Sequence, residues 1–156
     1  MNRRRFLTKS VVVLAAASVP CGALAQPFPV TWTEAEWRAL LPPAAFAVLR
    51  EGATEPAFSH PNHERMDPGI YHCAGCDSAV YESAHKFLSD SGWPAFDRAI
   101  PAQVLVGADR FLGLFSVEVR CATCGGHLGH VFNDGPDETT GKRHCVNGVA
   151  MTFRAS

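Results

Sequence analysis

The sequence predicts a mainly β domain, with two short helices set ahead of a compact antiparallel sheet structure. Three observations predict it. Helical signals stop at Arg50. From Gly69 onward, short apolar segments are separated by turn residues at Gly75, Gly107, Gly125-Gly126, Asp134-Gly135-Pro136 and Gly141. Ser116-Val117-Glu118-Val119-Arg120 alternates cleanly, as a strand with one solvated face does. With 156 residues, 47% of them hydrophobic, the chain holds material for one core. That composition excludes a disordered chain, a collagen-like repeat and a multi-span membrane protein.

Residues 1–25 stand apart. Arg3-Arg4-Arg5 precedes Phe6-Leu7, an apolar run from Val11 to Val19, and the small-x-small stretch Ala23-Leu24-Ala25. This is the layout of a signal peptide, with an apolar run too short to span a bilayer. The paired arginines before Phe6-Leu7 predict twin-arginine export, with a general secretory signal as the alternative. The remaining domain, 26–156, is then periplasmic, and Cys21 leaves with the signal. All four charges in the first 25 residues are basic, which leaves 10 basic against 15 acidic residues beyond them. A mildly acidic domain carries no electrostatic footprint for nucleic acid, and no stable membrane association is expected once the signal is removed.

The elements follow in order. Thr33 with Glu36 forms a capping box ahead of Trp37-Arg38-Ala39-Leu40-Leu41. Pro42-Pro43 ends this helix and starts a second over residues 44–50, which Gly52 stops. Residues 53–67 lack a period and read as a surface connection. Strands are predicted over 70–73, 79–81, 104–107, 113–120, 128–132 and 143–154.

Five cysteines remain. Cys73-Ala74-Gly75-Cys76 and Cys121-Ala122-Thr123-Cys124 are two Cys-x-x-Cys turns with 44 residues between them. Facing one another, they supply the tetrahedral four-sulfur shell of a closed, structural zinc site that clips two distant hairpins together. Two disulfides suit an exported protein and are a competing reading. A redox-active Cys-x-x-Cys is another, although the second pair runs into Gly-Gly-His and not into a helix.

Cys145 is the odd thiol. On a strand, Arg143, Cys145 and Asn147 share one face, so a guanidinium favours the thiolate and an amide donor stands beside it. A buried core cysteine is the bland reading. Its company weighs against that reading. His127-Leu128-Gly129-His130 follows directly on the second cysteine pair, and a bulge at Gly129 could bring the two imidazoles together. Trp93, held between Gly92 and Pro94, could wall an apolar pocket or be ordinary core.

Read together, these segments resemble the B-type methionine sulfoxide reductases, which act on the R epimer. The matching stretches are Tyr71-His72-Cys73-Ala74-Gly75-Cys76, Lys86-Phe87, Ser91-Gly92-Trp93-Pro94-Ala95-Phe96, the run from Arg120 to Pro136 that contains His127-Leu128-Gly129-His130-Val131-Phe132, and Arg143-His144-Cys145-Val146-Asn147. Val48-Leu49-Arg50-Glu51-Gly52-Ala53-Thr54-Glu55 is also similar. The resemblance implies two antiparallel sheets in a rolled, barrel-like domain, with one structural zinc on Cys73, Cys76, Cys121 and Cys124. It implies Cys145 as nucleophile, Trp93 against the substrate's S-methyl group, His127, His130 and Asn147 around the sulfoxide, and Arg143 as the nucleophile's basic neighbour. Either histidine could be the general acid. The implied partners are oxidised methionine in proteins and a thioredoxin-like or small-thiol reductant.

Three positions depart from the family pattern. Ser91 stands where many members carry a recycling cysteine, so a one-cysteine cycle with an external thiol is expected. His144 replaces a common tyrosine, and Gly148 a common serine. The rival functions are a non-catalytic zinc-ribbon-like binding module, which leaves Cys145, Trp93 and both histidines without purpose, and a cysteine hydrolase, for which no oxyanion-hole signature is evident.

Overall fold

In the computed structural model, residues 28–108 and 117–156 are described. The export segment over 1–25 and the 113–116 part of the fourth predicted strand lie outside the described residues. Helix α1 (Glu34–Leu40) starts on the expected capping box: Thr33 Oγ1 accepts from the Glu36 amide at 3.3 Å, and the Glu36 carboxylate accepts from the Thr33 amide at 2.7 Å. Helix α2 (Pro43–Glu51) runs one residue further at each end than the sequence suggests, with Pro43 in the first turn and Gly52 as the left-handed cap. Its buried face (Ala45, Phe46, Val48, Leu49) joins Trp37 of α1 in the core. Among the described residues, no helix is long and apolar enough to cross a membrane.

Nine strands follow among the described residues: β1 (Gly69–Cys73), β2 (Ala79–Glu82), β3 (Lys86–Phe87), β4 (Ala95–Phe96), β5 (Val104–Ala108), β6 (Val117–Cys121), β7 (His127–Phe132), β8 (Arg143–Val146) and β9 (Met151–Ala155). They form a three-stranded sheet in the order β2-β1-β9 and a six-stranded sheet in the order β3-β4-β8-β7-β6-β5. Every pairing is antiparallel. The two antiparallel sheets and two leading helices are the mainly β fold that the sequence predicts. Between the sheets, Tyr81 stacks on Phe96 at 4.4 Å, and Tyr71 meets the same ring edge-on at 5.1 Å. These aromatic contacts add directional preference to the burial that drives the layers together.

Two expectations need correction. The predicted strand 143–154 is two strands in different sheets, separated by a 3-10 turn at Gly148–Ala150. The break has a cause in a distant residue: the Glu55 carboxylate accepts from the amides of Gly148 at 2.6 Å and Val149 at 2.9 Å, which takes them out of any ladder. Gly148 also leaves room for a side chain from the same connection as Glu55: a Cβ there would lie 2.4 Å from the His60 ring, so a serine would require His60 to move. The 53–67 connection, in turn, is no mere surface loop. It contains a 3-10 turn at Pro61–His63, and both Glu55 and Asn62 are buried.

Candidate functional site

The four paired cysteines meet where the two sheets approach. Cys73 ends β1 and Cys121 ends β6, and each pair closes a tight turn, with Asp77 N–H on the Cys73 carbonyl at 2.8 Å and Gly125 N–H on that of Cys121 at 2.9 Å. The Cys73 and Cys124 sulfurs lie 3.7 Å apart and those of Cys76 and Cys121 3.5 Å apart, with all four within 4.8 Å of one another. A tetrahedron with metal–sulfur arms of about 2.3 Å has edges of about 3.8 Å. Disulfides need about 2.05 Å. The donor set therefore fits a metal ion, and four sulfurs leave no coordination position open.

Strand β7, which follows the second cysteine pair, and β8 contribute to a cleft of about 190 Å³ lined by Thr54, Trp93, Gly129, His130, Phe132, Cys145 and Asn147. Register explains the assembly. His130 on β7 pairs with Cys145 on β8, and cross-strand partners project from the same face. Gly129 allows the close approach of β7 to β8, since a Cβ there would sit 2.0 Å from the Cys145 carbonyl oxygen. His127 does not line the cleft. It is buried behind His130, with ring centroids 5.1 Å apart and planes at 61°. A bulge does bring the two imidazoles together, but its extra residue is Leu128: Val119 pairs with Gly129 and Arg120 with His127. His127 Nδ1 lies 2.9 Å from Glu118 Oε1.

Cys145 is half-buried on the face opposite the buried His144, the alternation the sequence predicts. His144 points into the core, where its Nδ1 meets the Tyr81 hydroxyl at 3.1 Å. The Cys145 thiol is pushed above its ordinary range by burial, while the Ser91 hydroxyl, 3.8 Å from Sγ, and the Arg143 guanidinium pull the other way. The sequence reading, in which arginine favours the thiolate, thus meets a larger opposing effect. Much of the Arg143 charge is spent elsewhere. It forms a bidentate pair with Asp134 at 2.9 and 2.8 Å and stacks on Phe132 at 4.6 Å. Arg143 accordingly stands under the cleft wall and is not among the lining residues.

Glu55 is the residue that sequence reasoning missed. Its carbonyl accepts from Trp93 Nε1 at 3.0 Å, and its amide donates to Asn147 Oδ1 at 2.9 Å. One buried residue thus holds both the indole and the amide that line the cleft with the thiol. Asn147 Nδ2 also donates to the Leu128 carbonyl at 3.1 Å, which leaves one amide hydrogen for a bound molecule. The available signal was the Val48–Glu55 resemblance, which named a segment but no role.

Two antiparallel sheets clipped by a four-cysteine cluster, beside a cleft that presents a single thiol, define a metal-knuckle β domain with a candidate thiol active site. The chain belongs to the SelR domain family, which it matches over residues 41–155. A protein of Methylibium petroleiphilum named "Peptide methionine sulfoxide reductase MsrB" is 45% identical over 129 residues, covering 82% of this chain and 93% of that protein. One of the same name from Burkholderia mallei is 43% identical over 129 residues, covering 82% and 90%. A Caenorhabditis elegans protein named "Probable methionine-R-sulfoxide reductase B" is 43% identical over 122 residues, covering 77% and 80%. Among solved structures, a Mis18 "Yippee-like" domain aligns with a TM-score of 0.45 at 17% identity, over 58% of this chain and 98% of that one.

Proposed function

We propose that this chain reduces methionine R-sulfoxide to methionine at Cys145. One observation carries the reading. The thiol outside the four-cysteine cluster opens into a cleft that sets an indole beside an imidazole and an amide. Trp93 offers an apolar face for the S-methyl group, and His130 and Asn147 offer donors to the sulfoxide oxygen. The Cys145 thiolate attacks the sulfoxide sulfur while His130 gives the oxygen a proton. The oxygen passes to the enzyme sulfur as the substrate S–O bond breaks. Methionine leaves, reduced by two electrons, and Cys145 is left as a sulfenic acid, oxidised by two. General acid help of this kind is worth about 10²–10⁴-fold. An external thiol then attacks the sulfenic sulfur and expels water. A second thiol equivalent breaks the resulting disulfide and frees Cys145.

The four-cysteine cluster holds one structural zinc and takes no part in these steps. When bound, the metal supplies rigidity: Cys124 lies three residues before His127 and anchors the start of β7. The protein-bound form of the substrate suits a shallow cleft with exposed Thr54 at its edge.

Turnover of a blocked methionine sulfoxide with dithiothreitol tests the reading. The R epimer should be reduced and the S epimer left intact, because swapping methyl and oxygen puts a polar atom on Trp93. Equal rates on both epimers, or none on R, would refute it.

Residues 1–25 direct export by the twin-arginine route, and the domain works in the periplasm. The support is the paired arginines within Arg3-Arg4-Arg5 before Phe6-Leu7 and the short apolar run that follows. Replacing Arg3, Arg4 and Arg5 together with lysine should trap the full-length precursor in the cytoplasm. Unaltered periplasmic yield after cell fractionation would contradict the route.

A further inference from the structure

Glu118 lies on the open face that the alternating strand predicts, and its side chain is 29% exposed there. Glu118 on β6 pairs with His130 on β7, and His130 pairs with Cys145 on β8. The three residues form one row across the sheet, on one face. The Leu128 bulge turns His127 toward that same row, where Glu118 Oε1 meets its Nδ1 at 2.9 Å. We infer that Glu118 is a positioning residue for the reaction, acting through His127 on His130. This inference rests on the reductase reading above.

The chemistry of the pair fixes more than an angle. An ionised carboxylate can only accept a hydrogen bond, so the proton of a neutral His127 resides on Nδ1 and its tautomer is set. A ring locked in tautomer and orientation backs the His130 imidazole at 5.1 Å and limits the poses in which His130 can face the sulfoxide oxygen. Among the described residues, the other charged side chain close to Glu118 is Arg120, whose Nε is 3.8 Å away and donates instead to the Gly125 carbonyl at 2.8 Å. The shorter bond to His127 therefore governs the carboxylate.

Hydrogen-bond partners that orient a metal-bound histidine typically matter by about 10–100-fold in affinity or activity, and the same scale is expected for a carboxylate that orients His127. Glu118→Ala should lower kcat on the R epimer by about that factor, with unchanged KM, zinc content and melting temperature. Glu118→Gln retains an acceptor oxygen and should keep kcat within about fivefold of the parent. In 15N-resolved NMR of the intact protein, His127 should show the Nδ1–H pattern in the parent and in Glu118→Gln, and a mixed pattern in Glu118→Ala. An active parent whose Glu118→Ala variant turns over equally well overturns the role of Glu118 alone, as does an Nε2–H pattern for His127 in the parent. Equal losses in Ala and Gln, or a fall in zinc or melting temperature matching the fall in kcat, also overturn it. A parent inactive on both epimers instead refutes the reductase reading.

Discussion

Replacing Cys145 with serine is expected to lower turnover of methionine R-sulfoxide by about 10⁴-fold or more, the scale on which loss of a catalytic nucleophile is felt. The hydroxyl is nearly isosteric but stays protonated and cannot carry the oxygen atom away as a sulfenic acid. Cys145 is only half-buried and lies outside the core cluster, so melting and metal content should match the parent. The parent enzyme should behave in two further ways. Burial raises the thiol above the ordinary cysteine range of about 8.5. Below that raised value the reactive thiolate is the minor form, so alkylation of Cys145 should quicken by about tenfold per pH unit through neutrality and level off only at high pH. With Ser91 as the hydroxyl 3.8 Å from Sγ, and the other described thiols in the cluster, one sulfoxide equivalent without reductant should leave a sulfenic acid. Dimedone labelling read by mass spectrometry should find it at Cys145. Turnover in the serine variant at even a few per cent of the parent rate would remove the nucleophile.

Much of this was readable in advance because it is local. The Thr33–Glu36 capping box, Pro43 and Gly52, the two Cys-x-x-Cys turns and the alternation of His144 with Cys145 each depend on residues within a few positions of one another. What was not readable is long-range. Nothing near Asn147 announces that the chain leaves one sheet for the other there. The cause is the carboxylate of Glu55, more than ninety positions away. The bulge was placed on Gly129 because glycine commonly marks one, whereas pairing across β6 puts the extra residue at Leu128. Gly129 serves close packing on β8 instead. Glu118 and Arg120 do lie on the open face that the alternation predicts, with Val119 and Cys121 buried on the other. Alternation tells which face a residue occupies, but not that a histidine from the neighbouring strand reaches it there. The two-residue strands β3 and β4 are too short for any period to register.

Removing the zinc should unfold the domain, and Cys121→Ser should do the same. Cys121 is fully buried at the end of β6 in the six-stranded sheet, while Cys73, equally buried, ends β1 in the three-stranded sheet. The cluster therefore joins the two layers, and without metal its turns keep a neutral Ser78–Thr123 hydroxyl contact at 2.9 Å and thiol contacts at 3.5 and 3.7 Å in place of four metal–sulfur bonds. Structural zinc in small peptides contributes about 10–16 kcal/mol at neutral pH, whereas a domain of this size has a net stability of about 5–15 kcal/mol. Loss of the first term is enough to consume the second. Stripped of metal, the protein should lose its cooperative melt and near-UV signal, and reductase activity should fall with them, because β7 begins three residues beyond Cys124. Cys76 is the informative contrast. It sits on the open side of the cluster and is only half-buried, so Cys76→Ser can be met by a water as fourth ligand and should retain more zinc than Cys121→Ser. Metal analysis alongside thermal melting decides the matter, since a zinc-free protein that melts at the parent temperature would show that the two sheets stand without their clip.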